Sequence, residues 1–565
     1  MVFRKITFII FSIISIQIFA QYSPKNNSKK LNENAEKYAD SVYQKLSLDE
    51  KIGQLYIVAL YTNKGENHIS QIRNLVEKEK IGGLILMQDD VEKHIALVNE
   101  FQQKSAIPMM IGIDGEWGLY QRFPTAHKFP WAMTLGAIQD NYLIYEMTTK
   151  IAEDCKRMGI YWDFAPVLDV NTNPNNPIIG NRSFGSDVEN VIEKGLAYAK
   201  GLQEHGVLAS MKHFPGHGDT DKDSHLDLPV VSHQIERLNQ IELSPFKALM
   251  DKKIGGVMVA HLYVPALEKQ PGIPASLSYE IITNLLKNTY HYNGLVITDA
   301  LNMNAVASKF PAGELDLKAF KAGNDIMLFS QDVPNGKALI KNAIEKGDIA
   351  EARLAESVKK ILKTKFLLNL QNLKPINPEN IKEDLNNASH AALSEKLYAN
   401  AVTLLKDEKD LLPLSCKKKY YYLPLEEAPY QAFLDQLNLD TTVQLITKDE
   451  LNILPEENAT VIIGLHKDNS TAYKPYKISE ESKNIITEIS KKANVILEVF
   501  GSPYALKDLD ISTLSTVLVG YENNDLSLKA SAKALLGKTK IHGKLPVIIN
   551  ESLKEGSGIE LKIKK

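Results

Sequence analysis

Cysteine is nearly absent, with Cys155 and Cys416 the only two in 565 residues. Cys155 falls inside an amphipathic helical pattern and Cys416 lies far along the chain. The pair is read as free, structural thiols and not as a disulfide scaffold. The formal net charge is only −3, and no basic stretch offers the footprint of a polyanion site, which excludes nucleic acid as a partner. There is no apolar run of membrane-spanning length, no repeat at the periods of solenoids or propellers, and no low-complexity tract beyond a polar leader near the N-terminus. What is left is an ordinary composition, 44% hydrophobic and 24% charged. The chain is too long for one core and is expected to form two domains, one of them large.

The first twenty residues read differently. Arg4 and Lys5 precede the uncharged stretch Ile6–Ala20, and Gln21 opens a polar segment. The run is short for a membrane span and suits the apolar region of a secretory signal. Residues 1–20 are therefore read as a signal peptide, with an uncleaved N-terminal anchor as the alternative. No cysteine near its end offers a lipid attachment point. The expected product is an exported, most simply periplasmic, enzyme without stable membrane insertion after cleavage.

Past this leader, Ser47 and Glu50 match a helix capping box. Short apolar runs then alternate with helical patterns. The runs are Leu55–Leu60, Gly82–Met87, Pro108–Ile113, Trp162–Val167, Val207–Met211, Gly256–Ala260, Gly294–Thr298 and Asp325–Phe329. Helical periodicity marks Gln71–Glu79, Val91–Gln102, Asn141–Arg157, Val188–His205, Gln234–Lys252, Tyr279–Tyr290 and Glu351–Leu367. Strands apolar on both faces and separated by helices predict a closed parallel (β/α)8 barrel of the TIM type over 35–370. A Pro/Asn-rich connector and a helix follow over 371–399. A second, smaller α/β domain is expected over 400–565, with strands at Tyr420–Leu423, Val443–Ile446, Ala459–Gly464, Val495–Gly501, Val517–Gly520 and Leu545–Ile549.

Chemistry concentrates in Leu208–Pro229, LASMKHFPGHGDTDKDSHLDLP. A buried-strand pattern ends in Lys212 and His213, and a Pro/Gly turn leads to four aspartates with a histidine among them. A solvated acidic loop is the plain alternative. Asp219, Asp221, Asp223 and Asp227 fit an EF-hand register, but Ser224 and Val230 stand where it needs glycine and glutamate, so calcium fails. His213 and His217 have the spacing of a helical zinc pair, yet Pro215 and Gly216 lie between them. The reading favoured is Asp223 and His225 as a working pair. Side chains two apart in extended backbone point the same way, so the carboxylate can set the tautomer of an imidazole that titrates near neutral pH. Asp114, Asp169, Lys212, His213, His261 and Asp299 all follow strand candidates, which in a barrel share one rim.

The motifs IGIDGEWGLYQRF, NPIIGNRSFG, KHFPGHGDTDKDSHLDLP, VMVAHLYVPALE and LVITDALNM occur in that order. Together they resemble glycoside hydrolase family 3, specifically its bacterial β-N-acetylglucosaminidase (β-hexosaminidase) branch. AVTLLKDEKDLLPL and GKLPVIINESLKEGSG resemble that family's second domain, an α/β sandwich. The resemblance implies an exo-acting, retaining enzyme with Asp299 as nucleophile and Asp223–His225 as the acid/base dyad. Asp114, Arg182, Lys212 and His213 would hold the terminal sugar, and His261 would line the same pocket. Arg182 has a solvated surface arginine as its plain alternative. Trp117 stands where many members carry glycine, and would form either a stacking wall for a pyranose or packing on the rim. No metal or organic cofactor is implied. The expected substrates are N-acetylglucosamine-containing oligosaccharides, either muropeptides from the cell wall or chitin fragments. The alternatives are a β-glucosidase-type exo-hydrolase or an N-acetylglucosaminide phosphorylase of the same family. A binding protein on an inactive barrel is disfavoured, because Asp299 and His225 are both present.

Overall fold

The computed structural model describes residues 24–220, 228–453 and 459–563. The signal-peptide reading (1–20) and the Asp223–His225 pair fall outside them. Eight strands form the first sheet: β1 (Tyr56–Leu60), β2 (Gly83–Leu86), β3 (Met110–Ile113), β4 (Trp162–Asp163), β5 (Leu208–Phe214), β6 (Gly256–Val259), β7 (Leu295–Thr298) and β8 (Met327–Leu328). Each pairs in parallel with its neighbour in sequence, and β8 pairs with β1. An Ile297–Ile326 bridge joins the β7 and β8 segments, so the ring closes into a barrel. β2, β3, β6 and β7 are buried at every residue, which is why their sequences run apolar without alternation.

Several expected elements change shape for local reasons. β4 is shorter than expected and ends at Asp163, although Ala165 O and Pro166 O still accept from Ser210 N and Lys212 N of β5, and Pro166 itself has no N–H to give. Pairing resumes as a bridge between Val167 and Lys212. The helix expected over Gln234–Lys252 is two helices, Ile235–Gln240 and Ser244–Met250. Pro245 is tolerated in the first turn of the second helix but would break the interior of a single one. The capping box forms: Ser47 Oγ accepts from the Glu50 N–H, and the Glu50 carboxylate accepts from the Ser47 N–H.

The second sheet holds β9 (Thr403–Asp407), β10 (Lys419–Leu425), β11 (Thr442–Leu445), β12 (Thr460–His466), β13 (Asn494–Phe500) and β14 (Thr516–Val519). Its order is β11-β10-β12-β13-β14-β9, parallel except for β9. β9 escaped the sequence reading. Leu545–Ile549, expected as a strand, is not one, because its hydrogen bonds are divided: Leu545 N donates to Ser557 O at 2.8 Å and Ile549 N to Leu553 O at 2.9 Å within the C-terminal segment, while the middle of the run turns to the barrel. Pro546 O accepts from Ser186 N at 3.0 Å, and Ile548 N donates to Ser186 Oγ at 3.1 Å.

The sheet is apolar on both faces, as the middle layer of a sandwich must be. Val495, Leu497 and Val499 of β13 join a core continuous with the barrel's, whereas Ile496 and Phe500 pack with Phe433, Leu437 and Leu535 of the outer helices. By the same alternation Glu498 faces the outer layer. It is fully buried, its carboxylate has no hydrogen-bond partner among the described residues, and burial pushes its pKa up to about 8, opposed only by the nearby Ser531 hydroxyl. A carboxyl with a raised folded pKa favours the fold fully below its unfolded value and loses that advantage as pH rises through the folded value. Between about pH 4.5 and 8, Glu498 therefore erodes stability. Glu498→Gln should exceed the wild type in melting temperature by a margin at least roughly 3 °C larger at pH 8 than at pH 5. Equal margins at the two pH values would mean that Glu498 does not fold as the neutral acid.

Candidate active site

The carboxyl ends of the barrel strands deliver the charged side chains. Asp114 directly follows β3, Lys212 and His213 sit in the last turn of β5, and Asp299 directly follows β7. They surround a cavity of about 300 Å3, the small end of the range for ligand pockets and sized for one sugar ring rather than a chain.

Five side chains form a ladder of alternating charge along one wall. Arg122 Nη2 donates to Asp114 Oδ2 at 2.6 Å, and Lys212 Nζ donates to Asp114 Oδ1 at 3.0 Å and to Glu116 Oε1 at 2.7 Å. Glu116 in turn receives Arg182 through two bonds, Nε to Oε2 at 2.9 Å and Nη2 to Oε1 at 2.7 Å. Burial alone would favour the neutral acids, but the cations outweigh it. Lys212 and Arg122 hold Asp114 down to about 2, and Arg182 and Lys212 hold Glu116 lower still. Lys212 is raised despite its burial, by Asp114 and Glu116. Both carboxylates are therefore ionised at neutral pH. Acceptors and donors alternate along the wall, which matches the paired hydrogen-bonding capacity of sugar hydroxyls.

Backbone geometry sets this ladder up. Asp163 Oδ1 accepts from the Gly115 N–H at 2.9 Å, and a Cβ on Gly115 would press within 3.2 Å of both Asp163 oxygens. Glycine at 115 thus lets the Asp114–Glu116 corner seat against β4. His213 is fixed from both sides: Arg182 Nη2 donates to Nε2 at 3.2 Å, so Nδ1 carries the hydrogen to Asp169 Oδ2 at 2.6 Å. Asp169 Oδ1 also accepts from the His217 N–H at 2.7 Å, and burial lowers the His217 imidazole to about 4.

Asp299 lines the cavity. Its Oδ1 accepts from the Ala300 N–H at 2.8 Å. Burial works against its charge, but His261, the Ala300 N–H and Lys212 help hold its pKa below the ordinary value. The result is an ionised carboxylate in a small cavity, the state a nucleophile needs.

The structure brings Asp114, Arg182, Lys212, His213 and Asp299 together around one cavity. Arg182 is 7% exposed and not a surface arginine. His261 is placed differently from the expectation. It is fully buried and does not line the cavity, because Ser276 Oγ and the Ala300 carbonyl hold its two ring nitrogens at 2.7 and 3.0 Å, beneath the Asp299 turn. Trp117 packs rather than stacks: it meets Trp131 edge-on with centroids 6.3 Å apart and shares a small core with Ala472 of the second domain. Glu116, Arg122 and Tyr473 line the cavity without having been singled out, and His217, weighed in the sequence only as a zinc ligand, lines it as well. For Glu116 a signal existed, since a residue two beyond Asp114 in extended chain points the same way. For Tyr473, supplied from the other domain, there was none. Among the described residues, Asp219, His233 and Glu242 converge as a metal site would. Arg237 Nη2, at 2.8 Å from Asp219 and 3.2 Å from Glu242, occupies the place of the cation.

Residues 47–364 match the model of the glycosyl hydrolase family 3 N-terminal domain. The chain belongs to glycosyl hydrolase family 3. Among its family 3 relatives, β-hexosaminidase A of Pseudoalteromonas piscicida is 30% identical over 550 residues, covering 85% of this chain and 91% of that one. The family 3 β-N-acetylglucosaminidase structure from Paenibacillus sp. str. FPU-7 superposes with a TM-score of 0.74 at 29% identity, covering 89% of this chain and 99% of that one. A β-glucoside phosphorylase, BglX, superposes at 0.77 but with 22% identity, covering 92% and 97%, and shares the fold. Among the described residues no helix is long and apolar enough to cross a membrane.

Proposed function

We propose that this family 3 enzyme is an exo-acting, retaining β-N-acetylglucosaminidase that removes terminal N-acetylglucosamine from muropeptides or chitin-type oligosaccharides. The observation that carries the reading is the one-sugar cavity with Asp299 ionised on its rim and the Arg122–Asp114–Lys212–Glu116–Arg182 ladder on its wall. The name of the Paenibacillus relative points to the same sugar, and that of the Pseudoalteromonas relative to a hexosaminide. In this reading the ladder holds the hydroxyls of the terminal sugar, and Asp299 attacks its anomeric carbon to form a glycosyl-enzyme as the leaving oxygen departs. His225, oriented by Asp223, protonates that oxygen and then takes a proton from the water that releases the sugar. The support for the dyad is its sequence spacing and the presence of His217, a few residues upstream, in the cavity wall. The charged start and apolar run of Met1–Ala20 support export to the periplasm, where wall fragments are found.

The test is the 2-acetamido group. A site built to pair with it is left with a buried unpaired partner by a glucoside, at a cost of roughly 1–3 kcal/mol. An aryl N-acetyl-β-glucosaminide should exceed the matching β-glucoside in kcat/KM by at least about 10–100-fold. Comparable rates would favour a broad exo-glucosidase. A tenfold or greater gain in donor consumption on adding phosphate, with a sugar 1-phosphate as product, would make the enzyme a phosphorylase.

A further inference from the structure

The cavity wall contains one aromatic ring that does not come from the barrel. Tyr473 lies in the loop after β12 of the second domain, lines the sugar cavity and keeps 51% of its surface exposed. Its ring centroid is 6.0 Å from the Arg182 guanidinium, so it flanks the Arg182 end of the ladder, where both side chains line the cavity. The rest of the loop is tied down. Ala472, directly before it, is buried against Trp117 and Trp131, and its carbonyl accepts from Asn181 at 3.5 Å. Asn469 binds the Tyr521 carbonyl and the Asn523 N–H. Between those two, Glu522 reaches into the barrel, where its carboxylate accepts from the Trp131 N–H and Thr134 Oγ1 at 2.8 Å each and from Lys128 Nζ at 3.1 Å. Two domains are thus clasped at a Trp–Trp–Ala contact whose immediate neighbour in sequence is Tyr473. An exposed aromatic face on an otherwise charged wall matches the chemistry of a pyranose, which offers a C–H face beside its hydroxyls.

We propose that Tyr473 is a substrate-binding residue forming the aromatic wall of the terminal-sugar site, and that Trp117 and Glu522 are the positioning residues that hold it there. This rests on the reading of the cavity as the terminal-sugar site. It gives the second domain a direct part in recognition, and it gives the tryptophan at 117 a purpose that a glycine would not serve.

The experiment is steady-state kinetics of Tyr473→Ala, Tyr473→Phe, Trp117→Ala and the Tyr473→Ala/Trp117→Ala pair on an aryl donor, with inhibition by free N-acetylglucosamine measured alongside. Tyr473→Ala should raise KM and the inhibition constant of the free sugar together, by about 5–10-fold, with kcat changed less than about threefold. Tyr473→Phe, which keeps the ring, should recover most of that loss. Trp117→Ala should raise KM in the wild-type background and add less than about twofold in the Tyr473→Ala background, the non-additivity of residues acting as one unit. A Tyr473→Ala enzyme with unchanged KM overturns the proposal. So does a rise in KM for the aryl donor without a rise for the free sugar, which would place the ring against the leaving group, and so does a phenylalanine that fails to recover. The aryl glucoside is run in parallel with glucose as inhibitor. If the glucoside proves the better donor, the function proposed above falls, while the ratio of variant to wild type on that donor still decides the role of Tyr473.

Discussion

Asp299→Ala should abolish turnover in a protein that folds normally. The carboxylate lines the cavity outside the salt-bridge ladder, and the hydrogen bond found for it among the described residues comes from its neighbour, Ala300. The backbone bond that ties the end of β7 to β6 there, Asp299 N to Val259 O at 2.9 Å, does not involve the side chain. Truncation therefore removes the proposed attacking group, and the hydrogen bond it breaks among the described residues is that of the part-buried Ala300 N–H. We expect kcat to fall at least about 1,000-fold and the melting temperature to stay within about 2 °C of the wild type, the range of a substitution with no structural mechanism. Azide added to this variant with an activated aryl donor should restore turnover. The small anion enters the space of the lost carboxylate, attacks the anomeric carbon from that face, expels the phenolate and leaves an α-glycosyl azide. Residual activity above about a tenth of the wild type would remove Asp299 from the nucleophile's role.

The barrel was legible because closed parallel sheets bury both faces of their strands. A run such as Leu295–Thr298 shows this directly in its residues, and all eight expected positions hold a strand. The sequence also placed Asp114, Lys212, His213 and Asp299, because a polar residue ending an apolar run has one place to go in such a barrel, its rim. Two kinds of information were out of reach. One is pairing between remote segments. Nothing local in NPIIGNRSFG says that Arg182 is folded inward onto Glu116, and nothing in Leu545–Ile549 says that Pro546 and Ile548 bond to Ser186. The other is the outcome of competition between uses of the same side chain. Trp117 has the surface of a sugar platform, and only the placement of Trp131 and Ala472 decides that it is spent on holding the domains together. His261 ends a strand as His213 nearly does, yet Ser276 and the Ala300 carbonyl claim both of its nitrogens.

The second large effect is expected at Glu116, a residue that need not touch the reacting carbon. Its two oxygens carry three donor bonds, two from Arg182 and one from Lys212, and it is 7% exposed. Glu116→Ala leaves Lys212 only Asp114, which Arg122 also holds, and leaves Arg182 without a carboxylate, facing the Ile178 carbonyl and His213 Nε2. Removing one member of a buried ion-pair network costs about 3–5 kcal/mol, because the remaining charges lose their partner but not their burial. Arg182 and Lys212 then turn away from the sugar, and kcat/KM should drop by about 100–1,000-fold. Unlike Asp299→Ala, this variant should also melt several degrees lower. Glu116→Asp keeps the charge but is one methylene too short to reach both cations, and should fall between the two. Glu116→Gln offers no escape, since its amide must turn a donor toward one of three donors. The pH dependence is a further check. Asp114 and Glu116 have depressed pKa values in the fold, so the stability they lend is present above the usual carboxylate range and lost as pH falls through the folded values, about 2 for Asp114. From about pH 4 to 9 the ladder does not titrate. Any limb of the wild-type activity profile inside that window therefore belongs to another group, for which His225 is the candidate. A Glu116→Ala enzyme within tenfold of wild type in kcat/KM would show that Arg182 and Lys212 hold their places without it, and the ladder would lose its standing as the frame of the sugar site.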